Sequence, residues 1–475
     1  MKKFRTFLLI ILIVPCMFLF SACSKPAYVV GIEKTAIDGT SSTYTVTYSD
    51  GSTSNFSVQN GADGKDGQDA SIESIFKECV KRGLYKDESN ESFREFLADY
   101  LSVEVEQNDE KAAINKAMCS SVAIFSGNWK GSHIYDMCAG SGVIISMDST
   151  SDVAYILTNY HVAYSTNKGK IATYLTCYLY GAPINLQNKG TEYNPYYAPD
   201  ATAIGCTYIG GSMNYDLAVL KVSTTDLLNA NENARPVTFA EKYEVGETAI
   251  AIGNPEGEGI SVTKGIINVD SENMGIKSIN GIGVSYYRVM RIDTAINGGN
   301  SGGGLFNQKG ELIGIVNAKL EDVSIDNMAY ALPLDNITRV ARNIIYNYET
   351  YHEVRGVEKL ILGVSTIGQN SRYIYNPTTS EMYIVEDTVI KDVSANSLAE
   401  SVHLQAEDIL TGIAINSVEN KIDLTRSFQL GDILLDVREG DKIWIYYSRQ
   451  NSKQTYIAQD PIQITVTSSM LQSID

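Results

Sequence analysis

Asn297-Gly298-Gly299-Asn300-Ser301-Gly302-Gly303-Gly304 decides the fold once it is read with two stretches upstream of it. These are Leu157-Thr158-Asn159-Tyr160-His161-Val162 and Tyr215-Asp216-Leu217-Ala218-Val219-Leu220. A serine attacks a carbonyl only when a base accepts its proton, and the base needs a carboxylate to hold its tautomer. Ser301 is the candidate nucleophile, His161 the candidate base and Asp216 the orienting carboxylate. The glycines around Ser301 let the backbone turn sharply, so that N–H groups at Gly299 and Ser301, with Asn300 between them, would converge on an oxyanion. Taken singly, the stretches are the pattern of a structural histidine, a strand cap and a loop. Their order, with strand-like sequence between them, implies a serine-nucleophile hydrolase built on two β-barrels.

Two competing readings of the glycine-rich stretch fail. Gly299 to Gly303 satisfies G-x-S-x-G, but that strand-to-helix elbow needs an acid and then a histidine after the serine. Only His352 and His403 follow, and alternating strand–helix units are missing. A phosphate-cradling loop would need Lys-Ser or Lys-Thr after the glycines, and none is there.

Around these motifs, residues 120 to about 333 are short β-runs punctuated by Gly and Asn: 121–126, 142–146, 153–157, 217–222, 248–253, 265–269, 284–292 and 312–317. Many short strands at such spacing predict a barrel or sandwich. An amphipathic helix over 335–348 closes the region, and the chain from about Leu360 mixes strands with a short helix near 395–402, as a separate domain would. Upstream, 27–60 reads as a small β unit, with period-two alternation over 43–48 and a hairpin turn at Asp50-Gly51. The three collagen-like triplets from Gly61 to Asp69 are too few for a triple helix and read as a polar spacer. Residues 71–118 carry helical periodicity.

At 475 residues the chain is too long for one core. Its formal net charge of −18, three units more negative without Lys2, Lys3 and Arg5, argues against nucleic acid or anionic lipid as a partner. Those three basic residues precede an apolar run from Phe7 to Phe20 that is short for a membrane span and reads as a targeting segment. It ends in Leu19-Phe20-Ser21-Ala22-Cys23, which resembles the lipobox of bacterial lipoproteins, with Phe20 where Leu is usual. That resemblance implies a signal peptide over 1–22, lipid attachment at Cys23 and a chain that works outside the cytoplasm, anchored to the membrane. Beyond Cys16 and Cys23, five cysteines at irregular spacing make neither a disulfide framework nor a zinc signature; Cys177 with Cys206, or Cys119 with Cys138, could pair, and buried free thiols fit as well.

The region 120–333 resembles the protease domain of the HtrA (Deg) family, trypsin-fold serine endopeptidases of the bacterial envelope. The matching stretches are 140–145, 157–162, 216–222, 251–255, 262–266, 293–305, 313–317 and 330–333. The resemblance implies a mainly β chain: a signal, a small β unit and spacer over 23–70, a helical segment over 71–118, a chymotrypsin/trypsin-like double six-stranded β-barrel over 119–348, and a PDZ domain over 359–470. It places His161, Asp216 and Ser301 in a catalytic triad that uses no metal or organic cofactor. Ala295, six before the nucleophile, would line the S1 pocket and favour small or medium apolar P1 residues. Gly298 and Gly304 stand where the family commonly has proline, which implies a looser oxyanion loop, and a Tyr-rich insertion runs from about Tyr174 to Tyr208. Ile361-Leu362-Gly363-Val364 would be the PDZ carboxylate-binding loop that captures peptide C-termini. Glu407 replaces the usual glycine of the family's L-x-x-G-D segment. Protein or peptide substrates, and a homo-oligomer such as a trimer, complete the expectation.

Overall fold

The computed structural model describes residues 29–38, 41–48, 52–59, a few positions between 76 and 92, and then 110–317, 328–377 and 381–474. The targeting segment 1–22, Cys23 and the collagen-like spacer lie outside the described residues, as does most of 71–109. The chain divides into two compact units, Met1–Glu104 and Val105–Asp475. In the first, Val29–Asp38, Ser41–Tyr48 and Thr53–Gln59 form an antiparallel three-stranded meander. No helix among the described residues is long and apolar enough to cross a membrane.

The larger unit begins with a barrel. Its sheet runs in the order Ile204–Gly205, Tyr174–Leu179, Ser121–Lys130, His133–Asp148, Val153–Thr158, Leu217–Val222 and Thr207–Ser212. The first and last of these are one run of chain broken at Cys206, so the sheet closes on itself and six strands make the barrel. Val122, Ile124, Ile144, Ile156, Leu175, Cys177 and Leu220 fill its interior. These residues alternate along their strands, as one-sided burial requires. The Tyr-rich stretch divides differently from the sequence expectation. Tyr174–Leu179 is a buried barrel strand, and only the residues after it, up to Ile204, form the insertion. Ile184 and Leu186 of that insertion pack on Phe125 and Tyr178, whose rings meet edge-to-face at 5.6 Å.

The second barrel is closed, with neighbours in the order Thr248–Gly253, Ser261–Lys277, Val284–Ile292, Ala329–Pro333, Leu312–Val316 and Gly304–Phe306. The fold is therefore mainly β, a trypsin-like pair of barrels followed by a further β domain. Helix Leu334–Tyr351 starts directly after the last barrel strand. Ile337, Val340, Ala341 and Ile344 recur at helical spacing, and they join Leu157 and Val219 of the first barrel to Leu312 and Leu332 of the second in one apolar cluster. The helix thus fixes the angle between the barrels, and the cleft between them is where the sequence motifs meet.

The last domain has a sheet in the order Val364–Asn376, Glu381–Val393, Ile409–Ile415, Lys442–Gln450 and Tyr456–Ala458, plus a small sheet in which Leu471–Ile474 pairs with Val357–Leu360. Its entry and exit strands are thereby tied together. Arg288 of the second barrel reaches Asp432 of this domain at 3.1 Å and Asp335 of the helix at 2.5 Å, while Arg426 reaches back to Asp270 at 2.6 Å.

Candidate active site

His161 lies in a single helical turn, Tyr160–Ala163, directly after the barrel strand Val153–Thr158. Asp216 precedes the neighbouring strand Leu217–Val222, and Ala218 pairs with Thr158 in that ladder. Two adjacent strand ends therefore bring imidazole and carboxylate together. Asp216 Oδ2 is 2.7 Å from His161 Nδ1, and Oδ1 accepts the His161 backbone N–H at 3.0 Å. With Nδ1–H donated to the carboxylate, Nε2 is left as the free acceptor of a general base. Asp216 is fully buried, so its charge must be met by donors in place. Asn317 Nδ2 supplies a third at 3.0 Å, and Asn159 Nδ2 holds the Asp216 main-chain carbonyl at 2.8 Å. Asp216 also takes φ +49°, a left-handed backbone that short polar side chains tolerate better than most.

Ser301 belongs to a loop clamped from several sides. Ser141, in strand His133–Asp148, donates its N–H to the Ser301 carbonyl at 2.8 Å and its hydroxyl to the Gly299 carbonyl at 2.7 Å. The same hydroxyl accepts the Asn254 N–H at 2.8 Å, and the Ser141 carbonyl accepts the Thr158 hydroxyl at 2.7 Å. Gly302 donates to the Val316 carbonyl at 3.0 Å, next to the Asn317 that holds Asp216. Thr158 and Asn159, the residues just before the His161 turn, also touch this loop. A Cβ at Gly302 would stand 2.2 Å from the Ser141 carbonyl oxygen and 3.1 Å from Asn159 N, and Gly302 has φ +83°. No other residue fits there. The looseness expected from Gly298 and Gly304 in place of proline is thus met by fixed partners: Glu256 N–H holds the Gly298 carbonyl, and Gly304 has become the first residue of a barrel strand.

These contacts also orient the loop's N–H groups. A trans peptide sets N–H opposite C=O. Glu256 N–H fixes the Gly298 carbonyl at 2.8 Å and Gly303 N–H fixes the Asn300 carbonyl at 2.9 Å, so the Gly299 and Ser301 N–H groups point away from those donors. Among the described residues neither of them donates to a protein acceptor. Asn300 sits between those two donors. Its N–H bonds the Asn297 carbonyl at 3.1 Å and is not available to a ligand. Ala295 is exposed, and its carbonyl accepts the Thr263 hydroxyl at 2.8 Å.

A cavity of about 440 Å³ opens beside His161, walled by Cys138, Tyr164 and Asn167 of the first barrel and by residues 277–281 of the second. Tyr287, also from the second barrel, donates to the Met213 carbonyl at 3.0 Å. Burial first and the nearby Asp216 charge second push its phenol up to about 12. Sequence reading singled out His161, Asp216 and Ser301 and gave Ser141 and Asn317 no role. Both stand within the quoted family stretches, and only the tertiary fold shows what they hold. Cys119, Cys138, Cys177 and Cys206 are free thiols.

In the last domain, Ile361-Leu362-Gly363-Val364 forms a second candidate site. Ala399 N–H holds the Leu362 carbonyl and Ser394 N–H holds the Gly363 carbonyl, each at 2.8 Å. Gly363 has φ +78°, and a Cβ there would stand 2.2 Å from Ser397 Cβ. Among the described residues the N–H groups of Leu362 and Gly363 donate to no protein acceptor. The strand that follows, Val364–Asn376, is an edge of its sheet.

Residues 140–315 match the family of trypsin-like peptidase domains. Serine protease Do-like HtrB of Bacillus subtilis (strain 168) is 30% identical over 324 residues, which cover 66% of this chain and 60% of that protein. Serine protease Do-like HtrA of Lactococcus lactis subsp. cremoris (strain MG1363) is 26% identical over 346 residues, 70% of this chain and 74% of that protein. Among solved structures, the serine endoprotease from Yersinia pestis aligns over 75% of this chain and 97% of that one, at 24% identity and a TM-score of 0.42. The chain thus spans about 60% of the length of the Bacillus relative it matches.

Proposed function

The chain belongs to the HtrA family of trypsin-like serine proteases, and from that premise we propose that it cleaves peptide bonds outside the cytoplasm through Ser301, His161 and Asp216. His161 Nε2 takes the Ser301 proton as Oγ attacks the scissile carbonyl, and Asp216 holds the imidazole tautomer and stabilises the imidazolium that forms. The Gly299 and Ser301 N–H groups meet the oxyanion. His161 then protonates the leaving amine, and water releases the acyl group from Ser301 by the same steps in reverse. Ala295 leaves S1 without a carboxylate, which favours small or medium apolar P1 residues over Lys or Arg.

The observation that carries this reading is the pair of bonds from His161 to a buried Asp216, both strand ends being stitched to the Ser301 loop through Ser141, Thr158 and Asn317. The last domain, read as a PDZ module, would seat a peptide C-terminus on the Leu362 and Gly363 N–H groups and extend it along the free edge of Val364–Asn376. Lipid at Cys23 would anchor the protein, and unfolded or mislocalised envelope proteins are the substrates this arrangement suits. A fluorophosphonate probe tests the chemistry: covalent labelling that disappears in Ser301→Ala supports it, and the absence of labelling in every form of the protein refutes it.

A further inference from the structure

Strand Ser121–Lys130 pairs with His133–Asp148, and the ladder steps out of register between Ser126 opposite Cys138 and Asn128 opposite Tyr135. One residue, Gly127, there faces two, Asp136 and Met137, which makes a β-bulge. Asp136 takes φ +53°, a left-handed backbone that aspartate tolerates better than most residues. A bulge re-aims a side chain out of the alternation of its strand. Here Asp136 stands in the first-barrel wall of the cavity beside His161. Both of its carboxylate oxygens are held. Asn167 Nδ2 donates to Oδ1 at 2.9 Å and Asn128 Nδ2 donates to Oδ2 at 3.2 Å. Asn128 is buried, and its amide also reaches the Ser165 hydroxyl at 2.8 Å. Ser165 and Asn167 follow the His161 turn directly, so this carboxylate is tied to the same run of chain as the candidate base.

Two neutral amides orient this group without neutralising it. A carboxylate offers about four acceptor positions, and the amides fill two of them. Among the described residues no cation pairs with Asp136. The other charged side chain of the cavity wall is Lys277, which is exposed on the opposite side. Its long stem can turn the ammonium out to water, whereas Asp136 is pinned, so the fixed charge of the cavity is negative. We propose that Asp136 is a specificity-determining residue, which receives a Lys or Arg side chain from the first two substrate residues after the scissile bond. This rests on the reading of Ser301, His161 and Asp216 as a catalytic triad. On that reading the acyl half of the substrate lies over Ala295 of the second barrel, and His161 protonates the leaving amine. The chain beyond the cleaved bond therefore starts at His161 and runs onto the first-barrel wall, where Asp136 waits. A guanidinium or ammonium there meets an oriented carboxylate in a charge-assisted hydrogen bond.

The test uses the full protein, as wild type and as Asp136→Asn, with three quenched peptides that share an acyl half ending in Val. One carries Arg-Arg directly after the scissile bond and Gln-Gln at its far end, and the second exchanges these pairs. Their net charge is equal, so general attraction to an acidic protein cancels between them. The third carries Glu-Glu after the bond. In wild type, kcat/KM for the first peptide is expected to exceed that for the second by roughly five- to thirtyfold, with the third below both. In Asp136→Asn, which keeps the shape and tolerates the same backbone, the ratio of the first two should fall to about one. Protection of Ser301 from a fluorophosphonate by the same peptides gives the order of binding even where turnover is slow, and thermal melting checks the fold of the variant. Labelled proteins with an equal ratio in wild type and variant, or with Glu-Glu preferred, overturn the site and leave the protease reading standing. Should the variant fail to fold, equal protection of wild type by the first two peptides overturns it in the same way. Absence of labelling in wild type overturns both readings.

Discussion

Two segments approach His161, and they are held in opposite ways. The Ser301 loop is fixed by Ser141, Glu256 and Val316, with glycines at the points of closest approach. The hairpin tip from the same barrel, where Ile279 is buried, has among the described residues only hydrogen bonds internal to itself. The first arrangement removes the reorganisation that an oxyanion site would otherwise need at the moment of reaction. On the proposed reading, substitutions in the loop should lower the chemical step, while those at the exposed tip should leave it unchanged.

Ser301→Ala gives the largest effect on the loop side. Peptide hydrolysis should fall by at least roughly ten-thousandfold, as removal of a serine nucleophile does elsewhere, with the melting temperature held. Residual turnover close to wild type would move the chemistry to another residue. Next comes Gly302→Ala, whose Cβ would meet the Ser141 carbonyl at 2.2 Å and whose backbone must keep φ +83°. It should cost about 2 kcal/mol or more in urea unfolding and lower kcat far more than it raises KM. A variant that folds and cleaves normally would show that the clamp is not needed.

Asn317→Leu tests the acid's support more gently. It removes one of the three donors to a fully buried carboxylate and leaves that lone pair unmet. A loss of roughly ten- to a hundredfold in kcat/KM, carried mainly by kcat, is expected. Ser141→Ala should act on the same scale through the Gly299 carbonyl, which loses its partner. If instead either variant changed KM alone, the distinction between loop and tip would blur.

The fold and the candidate site were legible beforehand because the candidate residues sit in short windows. His161, Asp216 and Ser301 each stand in a run whose order along the chain names the fold, and strands such as Leu217–Val222 and Thr248–Gly253 carry their apolar runs openly. Ser141 and Asn317 were not legible as participants, since a serine between glycines and an asparagine after a strand are ordinary until the fold sets them against Gly299 and Asp216. The strand Tyr174–Leu179 was absorbed into the insertion because tyrosines there suggest a surface, yet both faces of that strand are covered.

The smallest effect concerns the seam between the second barrel and the last domain. Asp432 lies there against Arg288, with Asp335, Lys359 and Arg339 around it. Burial pushes its carboxyl up to about 6, against the pull of the Arg288 guanidinium, which Asp335 shares and partly satisfies. In the unfolded chain the same group titrates near ~3.9. Its contribution to stability is therefore complete below about pH 4 and disappears as pH rises through about 6. Asp432→Asn keeps the shape and removes the titration. Between pH 7 and pH 5 the wild type should gain roughly 1 kcal/mol of unfolding free energy relative to that variant, measured by urea denaturation at each pH. A pH-independent difference between the two proteins would mean that Asp432 stays ionised throughout and that its pairing with Arg288 outweighs the cost of burying it.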